Sequence, residues 1–261
     1  MEKQCDILNK EQIIKILKGE FAIEILDTVD STNNYLKEKA RHGLKIPAII
    51  VAENQTGGRG RFDRRFHSPK GNGIYMSLLC FPKLAAEKSV LITVACAVAV
   101  AKAIEKHCLK NPQIKWVNDL ILENRKICGI LTEGSVNPDT ACFDWAVVGI
   151  GINVYEPYGG FSDEIKDIAG YIEKEKRENL RNSIIAETVN FLSLYLSDLE
   201  SKDFLDDYKK LSLVLGKEIT VVKATPQKAT AVSIDDDCRL LVKYPDNSAE
   251  YLSSGEISIK L

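Results

Sequence analysis

The sequence predicts an α+β main domain over residues 1–213 and a small all-β barrel over residues 214–261. Three observations carry this prediction. Strand-like and helix-like segments are mixed up to about residue 213, without the strict β-α-β alternation of a doubly wound parallel sheet. After Gly216 the helical periodicity stops, and five short β-rich segments follow with turn residues between them. The chain has 261 residues and no internal repeat, enough for one large domain with a small appendage.

Taken in order, Phe21–Val29 is rich in β-branched and aromatic residues and predicts a strand. Asp30 or Ser31 then caps a helix running to about Ala40. Pro47 opens a second strand, AIIVAE. Asn54 to Gly73 shows no hydrophobic period and predicts a long loop, after which IYMSLLCF reads as a strand and residues 88–108 as a helix. IKWV, LILEN, KICGILTEG and FDWAVVGIGINV predict four strands, with Asn124-Arg125 as a hairpin tip. Residues 180–200 and 201–213 read as helices. EITVVKA, KATAVSID, RLLVKY, AEYLSS and ISIK are the five barrel strands.

Composition argues against several classes. A net charge of −2 lacks the basic footprint of a constitutive nucleic-acid binder. Seven cysteines, an odd number without a CxxC pair, predict reduced and mostly buried thiols in a cytosolic protein. The start, MEKQCDILNK, has no apolar signal core. The most apolar run, Val90 to Ala101, is interrupted by Thr93 and is too short to span a bilayer. A cytoplasmic protein without membrane attachment is expected. Three histidines at 42, 67 and 107 have no metal-ligand spacing, and no GxSxG or Walker-type loop occurs.

Three stretches carry candidate chemistry. GGRGRFDRRFHSPKGNG, residues 57–73, interleaves glycines with Arg59, Arg61, Arg64 and Arg65. Glycines let backbone N–H groups approach an anion, and arginines offer bidentate donors, so the segment either wraps a small anionic ligand or is a solvated basic loop. Its clustered cations, with Lys70, repel one another and predict a loop that orders only around a ligand. Lys115 lies between apolar neighbours in IKWVNDL; it either reaches water at an edge or points at a ligand, and Trp116 reads as core. Gly149 and Gly151 in GIGIN fall on one strand face and leave room for a flat ligand or a close neighbour. Asn153 either reads an adenine edge or shapes the turn.

Together these segments resemble one family. DSTN (Asp30–Asn33), ENQTGGRGR (Glu53–Arg61), SPKGNGIYMSL (Ser68–Leu78), KWVND (Lys115–Asp119), KICGILTE (Lys126–Glu133), GIGINV (Gly149–Val154) and GEISIK (Gly255–Lys260) occur in the order found in biotin protein ligases. The resemblance implies a central mixed sheet flanked by helices, then a barrel of the Src-homology-3 kind. It implies an enzyme that activates biotin with ATP as biotinyl-5'-AMP and transfers it to a lysine of a biotin carboxyl carrier protein or carboxylase carrier domain. Ser31, Thr32, Asn33, Gln55, Gly58, Arg59, Gly60, Arg61 and Lys115 are the implied biotin-side residues, with Lys115 and Arg61 catalytic. Phe66, Lys126, Asn153 and Lys260 are the implied ATP-side residues. Mg²⁺ is expected on the phosphates, its protein ligand unknown, with Asp119 a candidate.

The chain departs from the family pattern at Val117 (usually proline), at Asp63 and Phe66 (often Gly and Trp), and at Lys260 (Arg). None of these removes a charge the chemistry needs, because valine lifts only a backbone constraint and phenylalanine still stacks. About 20 residues precede the first strand, too few for the DNA-reading domain of the repressor members, so a ligase without a DNA partner is expected. A homodimer stays open. Lipoate ligase is the close rival reading, and a non-catalytic nucleic-acid-binding module is the distant one.

Overall fold

The computed structural model describes residues 6–253 and 255–259. In chain order the elements are α1 (Lys10–Ile16), β1 (Ala22–Val29), α2 (Thr32–Arg41), β2 (Ala48–Gln55), β3 (Gly73–Cys80), α3 (Val90–Cys108), β4 (Gln113–Lys115), β5 (Asp119–Leu122), β6 (Arg125–Val136), β7 (Phe143–Asn153), α4 (Leu180–Ser197) and α5 (Leu205–Leu211). Five further strands follow: β8 (Glu218–Val222), β9 (Gln227–Ile234), β10 (Leu240–Lys243), β11 (Ala249–Leu252) and β12 (Glu256–Ser258).

The first seven strands form one mixed sheet in the order β1-β2-β3-β7-β6-β5-β4. β1 and β2 pair parallel, and every other neighbouring pair is antiparallel. The parallel pair needs a crossover, which α2 supplies. Period-2 alternation divides the sheet residues between two faces. Ile49 and Val51, Ile74, Met76 and Leu78, and Val148, Ile150 and Ile152 join the large core with α3 and α4. Ile50, Leu79 and Val147 point the other way, into a smaller core with Leu36 and Ala40 of α2. α3 is apolar nearly all round, as its position between the sheet and α4 requires.

The C-terminal strands form a second, all-antiparallel sheet in the order β11-β10-β9-β8-β12. The predicted α+β domain and small all-β unit are both present. Ile219, Val221, Ala231 and Val242 belong to the same contiguous core as the main sheet. The Trp116 indole Nε1 donates to the Cys238 carbonyl (3.0 Å), and Leu213 N to the Ile114 carbonyl (2.8 Å). The small sheet is thus welded to the strand that carries Lys115.

Several local expectations shift. The hairpin tip is Glu123-Asn124, one residue earlier than read, because Leu122 pairs with Arg125 and both tip residues adopt positive φ (50° and 62°), as a type I′ turn demands. IKWV is extended only to Lys115, and residues 116–118 turn. The two late helices end at Ser197 and begin at Leu205. α1, capped by Asn9 and docked on α4 through Ile13, was not read from the sequence. Among the described residues the cysteines are free thiols, buried except for half-buried Cys142; Cys5 lies outside the described residues. No described helix is long and apolar enough to cross a membrane.

Candidate active site

On the α2 side of the sheet the alternation brings Ser77 of β3, Gly129, Leu131 and Glu133 of β6, and Gly149, Gly151 and Asn153 of β7 to one face. A cleft of about 1140 Å³ opens there, between the start of α2, the 57–67 segment, the β4–β6 turn region and β12. Ser31, Thr32, Asn33, Gln55, Arg59, Gly60, Arg61, Phe66, Lys115, Lys126 and Asn153 all line it. Gly58 does not; its carbonyl instead accepts from Phe66 N (3.0 Å) within the loop's own ladder. Lys260 lies outside the described residues.

One end of the cleft is neutral and polar. Ser31 caps α2, so Thr32 and Asn33 occupy its first turn and are buried. Gln55 Oε1 accepts from Thr32 N (2.9 Å), and Gln55 Nε2 donates to Ser68 Oγ (2.9 Å). Ser77 Oγ lies 2.8 Å from Thr32 Oγ1 and donates to Asn33 Oδ1 (2.6 Å). Asn33 Nδ2 donates to Glu133 Oε2 (2.8 Å). Burial pushes the Glu133 carboxyl up, but the hydrogen bonds from Lys37 and Asn33 and the Lys37 and Arg59 charges outweigh it and leave it below the ordinary range.

Two glycines make this floor possible. A Cβ on Gly149 would lie 2.2 Å from Asn33 Oδ1, and one on Gly151 would lie 2.6 Å from the Phe66 ring. The room left by the glycine alternation is therefore filled by two side chains, Asn33 and Phe66.

The middle of the cleft is cationic. Lys115 is half-buried at the end of β4 and has no ion-pair partner within 4 Å among the described residues. Burial pushes its ammonium below the usual lysine value, partly countered by the Asp119 charge. Arg61 donates to Asn118 Oδ1 (3.0 Å) and to the Gly255 carbonyl (2.9 Å), and burial lowers its value too. Arg64 forms a fork-to-fork pair with Glu256 (2.7 and 2.8 Å), and Arg59 reaches Glu133 (3.3 Å). Lys70 pairs with Asp27. Mutual repulsion is thus not what governs this segment: four of its five cations already have oxygen partners.

At the far end Asn153 Nδ2 donates to the Gly170 carbonyl (3.0 Å), which leaves its Oδ1 as an acceptor without a partner among the described residues. Lys126 Nζ is 2.7 Å from Asp119 Oδ1, an ion-pair contact outside hydrogen-bond angles. That contact commits Asp119, the sequence candidate for a magnesium ligand, to a lysine. No group of three or more His, Cys, Asp or Glu side chains among the described residues could hold a metal.

Sequence reasoning missed Ser77, Ser68 and Glu133 as members of the polar end. A serine inside the apolar run IYMSLL was the available signal, since an unpaired buried hydroxyl is unfavourable by about 1–3 kcal/mol. It also missed the 164–169 segment, which walls the far end and pairs with β6 at Lys126.

Residues 25–153 match the biotin/lipoate A/B protein ligase family, and residues 214–260 match the biotin protein ligase C-terminal domain. A bifunctional ligase/repressor BirA of Bacillus spizizenii is 38% identical over 154 residues, which are 59% of this chain and 47% of that protein. The chain thus spans about half the length of this relative. A biotin–[acetyl-CoA-carboxylase] ligase of Mycobacterium tuberculosis is 26% identical over 248 residues, covering 88% of this chain and 86% of the relative. The structure of an Aquifex aeolicus biotin protein ligase in complex with biotin and ATP superimposes with a TM-score of 0.74 at 27% identity, covering 91% of this chain and 97% of that one. With both family segments in order, a matching fold and a cleft at the matching motifs, the chain belongs to the biotin protein ligase family.

Proposed function

We propose that this protein is an ATP-dependent biotin protein ligase, with residues 1–213 forming the catalytic domain and residues 214–261 a smaller domain that completes the cleft. The observation that carries this reading is the position of Lys115: a desolvated cation without an ion-pair partner among the described residues, lying in the cleft that joins a neutral polar end to Asn153.

The neutral end suits a ureido ring. Thr32, Asn33, Gln55 and Ser77 offer donors and acceptors in a buried setting, where an unpaired urea group would be disfavoured by about 1–3 kcal/mol. An apolar dithiolane ring has no hydrogen-bonding groups to match this polar end, which favours biotin over lipoate. Asn153 Oδ1 suits an adenine amino group, and the Phe66 ring closes over the Gly151 floor between the two ends. A biotin carboxylate attacking the α-phosphate of ATP brings two negative groups together. Lys115 and Arg61 would offset that repulsion as the new P–O bond forms, the bond to the leaving pyrophosphate breaks, and biotinyl-adenylate results. The ε-amino group of a carrier lysine then attacks the mixed anhydride carbonyl, forming the amide and releasing AMP. The loop would keep water from the anhydride meanwhile. The carrier domain of a biotin-dependent carboxylase is the proposed acceptor, in line with the name of the M. tuberculosis relative.

The test is exchange of labelled pyrophosphate into ATP. Exchange should depend on biotin and be absent with lipoate; exchange supported by lipoate alone would transfer the protein to the other branch of its family.

A further inference from the structure

We infer that Arg181 is a positioning residue for the ligand loop, clamping its two ends together from outside the cleft; the inference rests on the ligase reading for its kinetic consequences. Arg181 lies in the first turn of α4 and is buried, far along the chain from the loop and absent from the cleft lining. Its guanidinium donates to both carboxylate oxygens of Glu53 (2.9 and 3.2 Å) and to the Gly73 carbonyl (3.2 Å). Glu53 and Gly73 flank residues 54–72. They also lie beyond the last pair joining β2 to β3, Ala52 with Tyr75, so the strands part where Arg181 bridges them.

The clamp is itself held. Asp6 accepts from the Arg181 backbone N–H (3.2 and 3.3 Å) and from Tyr155 Oη (2.7 Å), and its carbonyl accepts from the Arg181 guanidinium. Arg181 therefore cannot follow the loop ends if they separate. Any ordering of the loop around a ligand is less unfavourable when its ends are fixed beforehand. Loosening them would weaken ground-state and transition-state binding alike, which raises KM and spares kcat.

Two variants of the full chain test this. Arg181→Lys keeps a charge but loses the fork; Glu53→Gln keeps the size but loses the carboxylate. Hydrogen exchange is followed at hydrogen-bonded loop amides, Gly57 (to the Asp30 carbonyl), Gly60 and Phe66 (both within the loop), with α3 amides as the reference. Both variants should speed loop exchange by about tenfold and leave α3 unchanged, with KM for biotin about tenfold higher and kcat within about twofold. Loop exchange as slow as in the parent in folded Glu53→Gln protein would overturn the clamp. So would acceleration shared equally by α3, which marks a purely structural residue. If Arg181→Lys fails to fold, Glu53→Gln alone decides. A parent protein without biotin-dependent exchange would sink the ligase reading, while the loop amides would still report on the clamp.

Discussion

Replacing Lys115 with alanine should lower biotin-dependent pyrophosphate exchange by about 10²–10³-fold, the usual effect of removing one preorganised charge-stabilising donor. The expectation follows from what surrounds the lysine. Arg59 and Arg64 are neutralised by carboxylates, and Lys126 by Asp119. Arg61 is held by the uncharged oxygens of Asn118 and Gly255, which position its guanidinium without neutralising it. Lys115 has neither an ion-pair nor a hydrogen-bond partner for its ammonium among the described residues, so its charge is available to an incoming anion. The same feature makes the residue unfavourable for the free fold. Its native value is depressed by burial, so the unfolded chain binds that proton more readily than the native one. At neutral pH the charge therefore opposes folding, and stability contributed here rises as pH climbs from the depressed value toward the ordinary ~10.4. Lys115→Met, which keeps the aliphatic stem, should melt no lower than the parent at pH 7, and any advantage should shrink at alkaline pH. Exchange retained within about threefold, a barrier change of only ~0.65 kcal/mol, would remove the lysine from the mechanism.

The residues that carry this expectation were legible to different degrees. Lys115 stood out because a lysine between apolar neighbours on a strand is exceptional, and the glycine–arginine segment because its composition suits no regular element. The alternation of Gly149 and Gly151 gave a face but not its occupant. Asn33 and Phe66 reach it from segments 116 and 85 positions away, and single-sequence patterns hold no information on such pairings. Arg181 was illegible for the same reason: it lies in a segment read only as a helix, and only the tertiary fold brings it to Glu53, 128 positions earlier. The hairpin tip slipped by one residue because Glu123 adopts a positive φ, which side-chain preference does not favour and strand register imposes. The clustered arginines were read as repelling, since Glu256 and Glu133 are distant in sequence and their carboxylates arrive only through the fold.

Gly149→Ala should be the most damaging single-carbon change at the neutral end of the cleft. The new methyl would lie 2.2 Å from Asn33 Oδ1 and 2.8 Å from its Cγ, well inside contact distance. Asn33 cannot step aside without loss. Its Oδ1 accepts from Ser77 (2.6 Å), and its Nδ2 donates to Glu133 (2.8 Å) and the Leu131 carbonyl (3.3 Å). Either those bonds break or the first turn of α2 lifts off β7 and carries Thr32 away from Gln55. Overpacking of this kind destabilises by about 1–3 kcal/mol. The opposing gain from a less flexible unfolded chain is only about 0.4–1 kcal/mol, so the net effect is destabilising. Biotin affinity should fall by roughly tenfold to a hundredfold, because displaced polar groups leave the urea unpaired at about 1–3 kcal/mol per group. Calorimetric titration and thermal melting measure the two effects separately. The double variant Gly149→Ala/Asn33→Ala removes the obstruction, so melting should recover relative to Gly149→Ala while affinity stays low. Contacting residues of this kind couple by about 0.5–3 kcal/mol in a double-mutant cycle. If the two substitutions instead add without coupling, Asn33 does not occupy the space above Gly149, and the polar end of the cleft is built differently.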